Sequence, residues 1–238
     1  MRQFLTALVM ALALALVTQA QAQTVFTENF DNHTPGQLIT DANGWTANNG
    51  AMTPPVIVAS APGLDGNAAD GNQISGNNGA FTNFENDAGL TGGPHPIVIF
   101  EFDLRVNDSI TTGSMGVSLQ GTRTSISIRD GGANIGIADA LDTDEIYPIP
   151  GGAIAQVLSF RIEADPQDTR FYMNDVLQQT SPSNGQSGSY NNINGIRWGC
   201  GIDPGVRCGI IDNIKVSIPE PASFGLLVMG GLMMLRRR

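Results

Sequence analysis

Strict alternation of apolar and charged residues over positions 96–107 constrains the fold more than any other feature of this chain. The even-numbered positions are apolar, whereas Glu101, Asp103 and Arg105 occupy odd positions between them. A period of two places the two sets on opposite faces of a β-strand. The stretch Ile154 to Ala164 repeats the pattern. Both stretches are therefore predicted to be half-buried strands.

Shorter apolar or alternating segments, separated by stretches rich in glycine, asparagine and proline, occur along the rest of the chain. No convincing amphipathic helix lies between the two chain ends. Many short strands punctuated by turn residues predict an all-β fold, an antiparallel β-sandwich or jelly roll. The shorter predicted strands are Val25–Phe30, Ala80–Glu85, Met115–Leu119, Ser125–Ile128, Ile135–Ile137, Phe171–Met173, Ile193–Trp198 and Cys208–Ser217.

The N-terminus has the organisation of a secretory signal peptide. Arg2 supplies a positive charge, an apolar stretch runs from Phe4 to Val17, and Ala20-Gln21-Ala22 is an A-x-A cleavage site. A transmembrane helix is the alternative, but the apolar stretch is short and small residues follow it. We therefore expect residues 1–22 to be removed during export.

The C-terminus combines Pro219-Glu220-Pro221, an uncharged segment 224–235 and the cluster Arg236-Arg237-Arg238. Twelve helical residues reach about 18 Å, whereas a bilayer core of about 30 Å needs roughly 20 residues. Terminal arginines are expected to stay on the cytoplasmic side of a membrane, with the rest of the chain on the other side. An apolar helix docked on the domain is the alternative, but such a helix normally has a polar face.

This tail resembles the PEP-CTERM sorting signal of Gram-negative bacteria. The resemblance covers residues 218–238 and is carried by the Pro-Glu-Pro motif, the short apolar segment and the arginine cluster. It implies transient inner-membrane anchoring, processing by an exosortase, and delivery to the cell surface or to extracellular exopolysaccharide. It implies nothing about the activity of the rest of the chain.

Between the two signals, residues 23–217 are long enough for one domain with a substantial core. Without the signal residues this body keeps eight basic and 21 acidic residues, a formal charge of −13. Such a surface repels phosphate backbones, so nucleic-acid binding is not expected. It attracts cations, or keeps an exported protein soluble.

Segments of the body resemble concanavalin-A-like sandwiches of the lectin, glucanase and laminin-G type. They are Glu28 to Asp31 with Gly44-Trp45, the pair 160–164 and 171–177, and the closing Ile211 to Val216. The resemblance implies a sandwich fold rather than an activity.

Glu101 and Asp103 are the strongest candidates for catalysis, because laminarinase-like glycosidases place carboxylates on alternate positions of one strand. A retaining mechanism needs two carboxylates about 5 Å apart. The motif of that family continues with a further glutamate, where this chain has Leu104-Arg105. We therefore interpret both acids as outward residues of a strand and expect no catalytic residue and no enzyme activity. A glycoside hydrolase with unrecognised carboxylates is the alternative.

Two acids share strand parity with apolar neighbours and are predicted to point where those neighbours point. Glu28 has the parity of Phe26 and Phe30, and Asp212 has the parity of Ile210, Ile214 and Val216. A buried carboxylate needs hydrogen-bond donors or a cation. One hypothesis is a structural Ca²⁺ held by both acids and nearby carbonyls. The alternative is a bulge or strand end that lets each acid reach solvent.

Carbohydrate binding is a further hypothesis, because sandwich modules use exposed aromatic rings as stacking platforms. Trp45, Tyr190 and Trp198 are the candidate platforms. The partners would be exopolysaccharide or another glycan. A purely structural matrix component is a third possibility for the body.

Cys200 and Cys208 flank a strong turn sequence, Ile202-Asp203-Pro204-Gly205. In an oxidising compartment two such cysteines are predicted to form a disulfide. A metal site is the alternative, but His33 and His95 have no ligand spacing to them.

Overall fold

The computed structural model describes residues 22–47, 55–71, 82–91, 95, 97–106, 115–121, 124–129, 132–138, 144–183, 193–200 and 209–219. These residues form strands throughout, apart from loops and a short 3₁₀ helix at Ile39–Asp41. The strands are β1 (Ala22–Glu28), β2 (Thr46–Ala47), β3 (Val56–Val58), β4 (Ala68–Asp70), β5 (Thr82–Asn86), β6 (Val98–Arg105), β7 (Met115–Gln120), β8 (Ser125–Arg129), β9 (Asn134–Ala138), β10 (Asp144–Pro148), β11 (Val157–Ala164), β12 (Asp168–Met173), β13 (Val176–Pro182), β14 (Gly195–Cys200) and β15 (Ile210–Pro219).

The strands pair into two sheets. The eight-stranded sheet has the order β13-β12-β11-β6-β15-β4-β3, and β1 also pairs with β15. The seven-stranded sheet has the order β10-β9-β8-β7-β14-β5-β2. All neighbours along these two paths are antiparallel. The predicted all-β antiparallel sandwich is confirmed.

The core lies between the inner faces of the two sheets, and the predicted alternation builds one side of it. In β6 buried and half-buried residues alternate along the whole strand. Phe102 lies opposite Phe160 of β11, and their rings stack with centroids 5.3 Å apart. Phe84 and Trp198 form a ring contact at 6.3 Å in the seven-stranded sheet. Burying each such large side chain stabilises the fold by roughly 1.5–3 kcal/mol.

A second, smaller apolar cluster covers part of the outer face of the eight-stranded sheet, the face turned away from the other sheet. Ile210 and Val157 both lie opposite Arg105, which places all three on this face. The guanidinium of Arg105 donates hydrogen bonds to the carbonyls of Pro62 and Ala155, at 2.6 and 3.0 Å. The hydrogen bond to Pro62 holds the loop that contains this residue against the outer face of the sheet. The buried members of the cluster are Ala61, Leu64, Ala68 and Ile210.

Residues Thr24–Ser217 form one compact unit. Across the described ranges, no helix has the length and apolar character needed to span a membrane. Residues 1–21 and 220–238 carry almost all of the two predicted signals and lie outside the described residues. Both signals therefore remain predictions.

Candidate cation site and outer-face cleft

A β-bulge in β15 places Asp212 and Asn213 beside Asp103. Asp212 lies opposite Asp103, but Lys215 lies opposite Glu101, so β15 has one more residue than β6 over this interval. Asn213 has a φ of 51°, in the left-handed region that asparagine tolerates better than most residues. Directly opposed residues point to the same face, so Asp212 shares the outer face with Asp103.

Asp212 is 0% exposed, and neither of its carboxylate oxygens has a hydrogen-bond partner among the described residues. Its pKa is raised to about 7, chiefly because burial strips water from the carboxylate. The backbone N–H of Asn213 lowers this pKa without reaching hydrogen-bond geometry, and the charges of Asp31, Asp103 and Glu28 raise it. A buried carboxylate in this position is costly unless a proton or another cation neutralises it.

Glu28 ends β1, which pairs with β15, and is 5% exposed. Its Oε1 accepts a hydrogen bond from the backbone N–H of Phe30 at 2.9 Å, and its Oε2 lies 3.3 Å from Nε2 of His33. The predicted burial of both acids is confirmed. Asp212 shares the outer face with Ile210, as its parity predicted, but the bulge gives it a different face from Ile214 and Val216, so that part of the prediction is wrong. The bulge does not bring Asp212 to solvent either.

Asp31 is held in the loop that follows Glu28. Its Oδ1 accepts from the backbone N–H of Asn67 at 2.8 Å, and its Oδ2 accepts from the Asn29 side chain at 2.9 Å. The side-chain amide of Asn67 donates to the carbonyl of His33 at 3.0 Å. A Cβ at Gly66 would lie 1.9 Å from Oδ1 of Asp31, so only glycine allows this approach. The sequence alone assigns neither Asp31 nor Asn67 a role in a site, because both lie in loops without periodicity.

The surroundings of Asp212 fit a hard cation. Calcium takes six to eight oxygen ligands and mixes carboxylates with main-chain carbonyls and water. Within the described part of the chain, no group of three or more His, Cys, Asp or Glu side chains is arranged to enclose a metal ion. A site of this kind would therefore use Asp212 and Glu28 together with carbonyls and water. The unpartnered carboxylate of Asp212 is the observation behind this fit.

A shallow cleft of about 220 Å³ opens on the outer face of the same sheet. Asp103 of β6 is bonded to a residue on each neighbouring strand. Ser159 Oγ of β11 donates to Oδ1 of Asp103 at 2.5 Å, and Asn213 Nδ2 of β15 donates to Oδ2 of Asp103 at 2.8 Å. The cleft thus presents a carboxylate, a hydroxyl and an amide in a fixed arrangement. Its polar lining residues are Glu101, Asp103, Ser159, Arg161, Asp175, Asn213 and Lys215.

One row of cross-strand neighbours supplies part of the cleft lining. Lys215, Glu101, Arg161 and Tyr172 lie opposite one another in sequence on β15, β6, β11 and β12. Lys215 Nζ lies 3.0 Å from Glu101 Oε2. The guanidinium carbon of Arg161 lies 4.1 Å from the centroid of the Tyr172 ring, a cation–π distance. The row alternates charge across the strands and leaves a flat polar surface.

Glu101 and Asp103, the candidate catalytic pair, both line this cleft from one strand. Their outward position on an alternating strand is as predicted. Each already has a polar partner, Lys215 for Glu101 and Ser159 with Asn213 for Asp103. The absence of enzyme activity stays a prediction.

The predicted stacking platforms need correction. Trp45 is 2% exposed and Trp198 is 1% exposed, so neither indole offers a ring face to a ligand. Both rings pack in the interior because large aromatic side chains gain more from burial than from exposure. Tyr190 lies outside the described residues.

The predicted disulfide and the predicted sorting motif each lie partly or wholly outside the described residues. Cys200 ends β14, and Cys208 lies outside the described residues, so the disulfide stays a prediction. Pro219 is the last residue of β15. Glu220, Pro221, Arg236, Arg237 and Arg238 lie outside the described residues.

Together these features define an antiparallel β-sandwich domain with a polar cleft beside a carboxylate cluster, which consists of Asp212 and the three acids whose charges act on it, Glu28, Asp31 and Asp103. No known family model matches the sequence, and no curated protein sequence matches it. Solved structures do share the fold. Domain 4 of an extracellular GH43 arabinanase from Geobacillus stearothermophilus, solved with arabinotriose, has a TM-score of 0.50 and 15% identity, covering 86% of this chain and 97% of that domain.

Two other solved structures are similar at the same level. A carbohydrate esterase from Shiga toxin-encoding bacteriophage phi24B has a TM-score of 0.56 and 13% identity, covering 84% of this chain and all, 100%, of that one. The receptor binding domain of botulinum neurotoxin D has a TM-score of 0.52 and 11% identity, covering 87% of this chain and 52% of that one. At these identities the likeness shows a shared sandwich fold.

Proposed function

We propose that this protein is an exported, non-catalytic protein of the cell surface or extracellular matrix that binds carbohydrate through the outer-face cleft. The cleft itself is the observation that carries the proposal. Its lining offers carboxylate, hydroxyl, amide and ammonium groups, which are the partners that sugar hydroxyls use. At about 220 Å³ it is smaller than the roughly 300–1,000 Å³ pockets of drug-sized ligands, so it suits one or two sugar units of a longer glycan.

The similar solved structures add support of a general kind. One is a domain of an arabinanase in complex with arabinotriose, and another is a carbohydrate esterase. Tyr172 takes the place of the two buried tryptophans as the candidate aromatic contact, because its ring lies under Arg161 of the cleft lining. The body's charge of −13 favours neutral or cationic glycans over strongly anionic ones.

Affinity electrophoresis against a panel of bacterial and algal polysaccharides measures binding and tests this function. Glu101→Ala removes a charged group from the cleft and is expected to weaken binding about tenfold or more, in line with roughly 1.5–3 kcal/mol for a hydrogen bond to a charged group. Glu145→Ala, an exposed residue of β10 in the other sheet, is the matched control and should bind like the wild type. Equal losses in both variants, or no binding to any polysaccharide, would refute the proposal.

We further propose that Asp212 and Glu28 hold a structural Ca²⁺, with main-chain carbonyls and water completing its ligands. At free Ca²⁺ of 100 times the Kd, binding stabilises the folded state by about 2.7 kcal/mol. For a domain of this size, 1 kcal/mol moves Tm by about 2–4 °C, so Ca²⁺ should raise Tm by about 5–10 °C over chelator. Asp212→Asn should abolish the shift, and Asp41→Asn, an exposed acid elsewhere, should retain it. An unchanged Tm in the wild type would rule out this metal.

The route to the surface follows from the two sequence signals. We propose removal of residues 1–22 on export, transient membrane anchoring by the tail, and processing of residues 218–238 by an exosortase. Mass spectrometry of the protein from cell-surface and medium fractions tests this route. A C-terminus still ending in Arg238 wherever the protein accumulates would refute tail processing.

A glycoside hydrolase is the second candidate, because Glu101 and Asp103 share one cleft. The chain has Leu104-Arg105 where a laminarinase-like motif continues with its acid/base glutamate, and the guanidinium of Arg105 donates hydrogen bonds to the carbonyls of Pro62 and Ala155. This contact favours a structural role for that position. Release of reducing sugar from any polysaccharide that binds, lost in Glu101→Gln, would establish the hydrolase instead.

A further inference from the structure

The bulge in β15 connects the proposed metal site and the cleft through two residues that are adjacent in the chain. Asp212 belongs to the carboxylate cluster, whereas the next residue, Asn213, lines the cleft. The left-handed φ of 51° at Asn213 turns both side chains to the outer face. Any movement that brings the Asp212 carboxylate towards a metal therefore moves the backbone that carries the Asn213 amide.

The connection continues through hydrogen bonds to the far wall of the cleft. Asn213 Nδ2 donates to Asp103 Oδ2 at 2.8 Å, and Ser159 Oγ donates to Asp103 Oδ1 at 2.5 Å. The backbone N–H of Ser159 in turn donates to Asn174 Oδ1 at 3.0 Å. These hydrogen bonds form a continuous series from β15 through β6 to β11 and on to the turn between β12 and β13, where Asn174 lies.

The charge of Asp103 connects the two features as well. Asp103 lies opposite Asp212 on the same face, and its charge acts on the buried carboxylate. A divalent cation at Asp212 would replace this repulsion by attraction for both carboxylates. Asp103 would then be held in the orientation in which it accepts from Asn213 and Ser159.

We infer that the metal site and the cleft are one coupled unit, in which Ca²⁺ bound at Asp212 orders the cleft through Asn213 and Asp103. This inference rests on the proposed Ca²⁺ site and cleft, and it adds a regulation that neither implies alone. Coupling between two such sites typically changes the affinity of one ligand by 5- to 150-fold when the other is bound. Glycan binding should therefore depend on Ca²⁺, although no residue of the cleft needs to touch the metal.

A Ca²⁺ titration of the full chain followed by amide NMR tests the coupling, with Ca²⁺ alone as the probe. The backbone amides of Asp212 and Ser159 should shift with the same midpoint, while that of Arg197 in the other sheet should not. Asn213→Gly keeps a residue suited to the left-handed backbone but removes the side-chain link, so Asp212 should still respond, and the response of Ser159 should fall to what the charge of Asp103 alone transmits. Asn43→Gly, the same substitution at another positive φ of 25°, should leave both responses intact.

Failure of the coupling and failure of the metal site give different spectra. If the Asp212 amide shifts but the Ser159 amide does not in the wild type, the two sites are independent and the coupling is refuted. If the Ser159 shift is undiminished in Asn213→Gly, the proposed connection through Asn213 is refuted. If no amide responds to Ca²⁺, the metal site and the coupling are both refuted. Glycan binding by the cleft is measured separately and stands or falls on the polysaccharide panel.

Discussion

The outer faces of the two sheets each carry a largely buried carboxylate, and they treat it differently. Glu85 of β5 has a side chain that is 15% exposed, and its Oε1 accepts from Arg197 Nε at 2.9 Å and lies 2.8 Å from Arg197 Nη2. Its Oε2 accepts from Gln120 Nε2 at 2.7 Å. Asp212 of β15 is fully buried and has no hydrogen-bond partner among the described residues.

The difference separates a carboxylate that completes the fold from one that needs a ligand. Arg197 lies opposite Glu85 in the register, so the counter-charge of Glu85 is built into the neighbouring strand. Asp212 lies opposite another acid, Asp103. Like charges directly opposite one another destabilise a sheet. The folded chain therefore supplies the neutralising charge in one sheet and leaves it to a proton or metal in the other.

The largest expected effect comes from the packing beneath the Glu85–Arg197 pair. Trp198, next to Arg197 in β14, is buried against Phe84, next to Glu85 in β5. Trp198→Ala should cost about 3–5 kcal/mol of unfolding free energy, because truncating a buried aromatic loses transfer energy and leaves a cavity. Val176→Ala is the control at a side chain that is 61% exposed, and it should change stability by less than about 0.5 kcal/mol. Denaturant unfolding measures both.

The same variant separates the two faces. If the Glu85–Arg197 pair and the carboxylates around Asp212 are independent, Trp198→Ala should lower stability but keep the Ca²⁺-induced rise in Tm. Loss of the Ca²⁺ response in a still-folded Trp198→Ala protein would show that the seven-stranded sheet also supports the metal site.

The next largest effect is the contribution of Asp212 to the pH dependence of stability. In the metal-free protein its pKa is about 7 when folded and near 3.8 when unfolded. The folded state then holds the proton more tightly, so the stability of the neutral form is fully present below about pH 4 and is lost as the pH rises through 7. At about 1.4 kcal/mol per unit of pKa difference, the rise from 3.8 to about 7 corresponds to a loss of about 4 kcal/mol.

Comparison of wild type with Asp212→Asn in chelator isolates this loss from all other titrating groups. The asparagine variant should be the more stable protein at pH 8 and should match the wild type near pH 4. A wild type that is as stable as the variant at both pH values would mean that Asp212 is already neutralised within the chain.

The fold could be predicted from the sequence because the strands that build the core alternate strictly. The observed β6 and β11 lie within the two predicted alternating stretches, Pro96–Asn107 and Ile154–Ala164. The strands that were missed lack that signal. Ala68–Asp70 contains residues of low β propensity, and Val176–Pro182 follows a turn without regular alternation. These strands exist because neighbouring strands supply their hydrogen-bond partners, which is tertiary information.

The site could be predicted only in part. Parity correctly marked Asp212 as buried, but a period of two cannot anticipate a bulge, which reverses the faces beyond it. The sequence Asp212-Asn213 was the available signal, because asparagine tolerates the left-handed backbone. Burial of Trp198 could have been predicted from Ile196, which has the same parity and is also buried. The proximity of Asp31 and Asp103 to Asp212 depends on loop packing and strand order, which periodicity does not contain.

Neutralising each carboxylate should have opposite effects in the two sheets. Glu85→Gln removes the negative charge that pairs with Arg197 and accepts a hydrogen bond from Gln120. It should destabilise the protein by about 1–3 kcal/mol, the cost of leaving buried polar groups without full partners. In chelator at pH 8, Asp212→Asn should instead raise the unfolding free energy. Thermal unfolding of the two variants in the same buffer measures the sign directly. Destabilisation by both substitutions would remove the distinction between the two carboxylates.

The smallest effect is expected at the exposed ion pair beside the cleft. Lys215 and Glu101 have side chains that are 47% and 36% exposed, so solvent screens their attraction. Lys215→Gln should therefore cost only about 0.2–1 kcal/mol, and the cost should disappear at 1 M salt, where the screening length is about 3 Å. Denaturant unfolding at low and high salt measures this. A larger, salt-resistant loss would place Lys215 with Arg197, as a counter-charge that the fold requires, and would leave Arg161 as the remaining cation of the cleft lining.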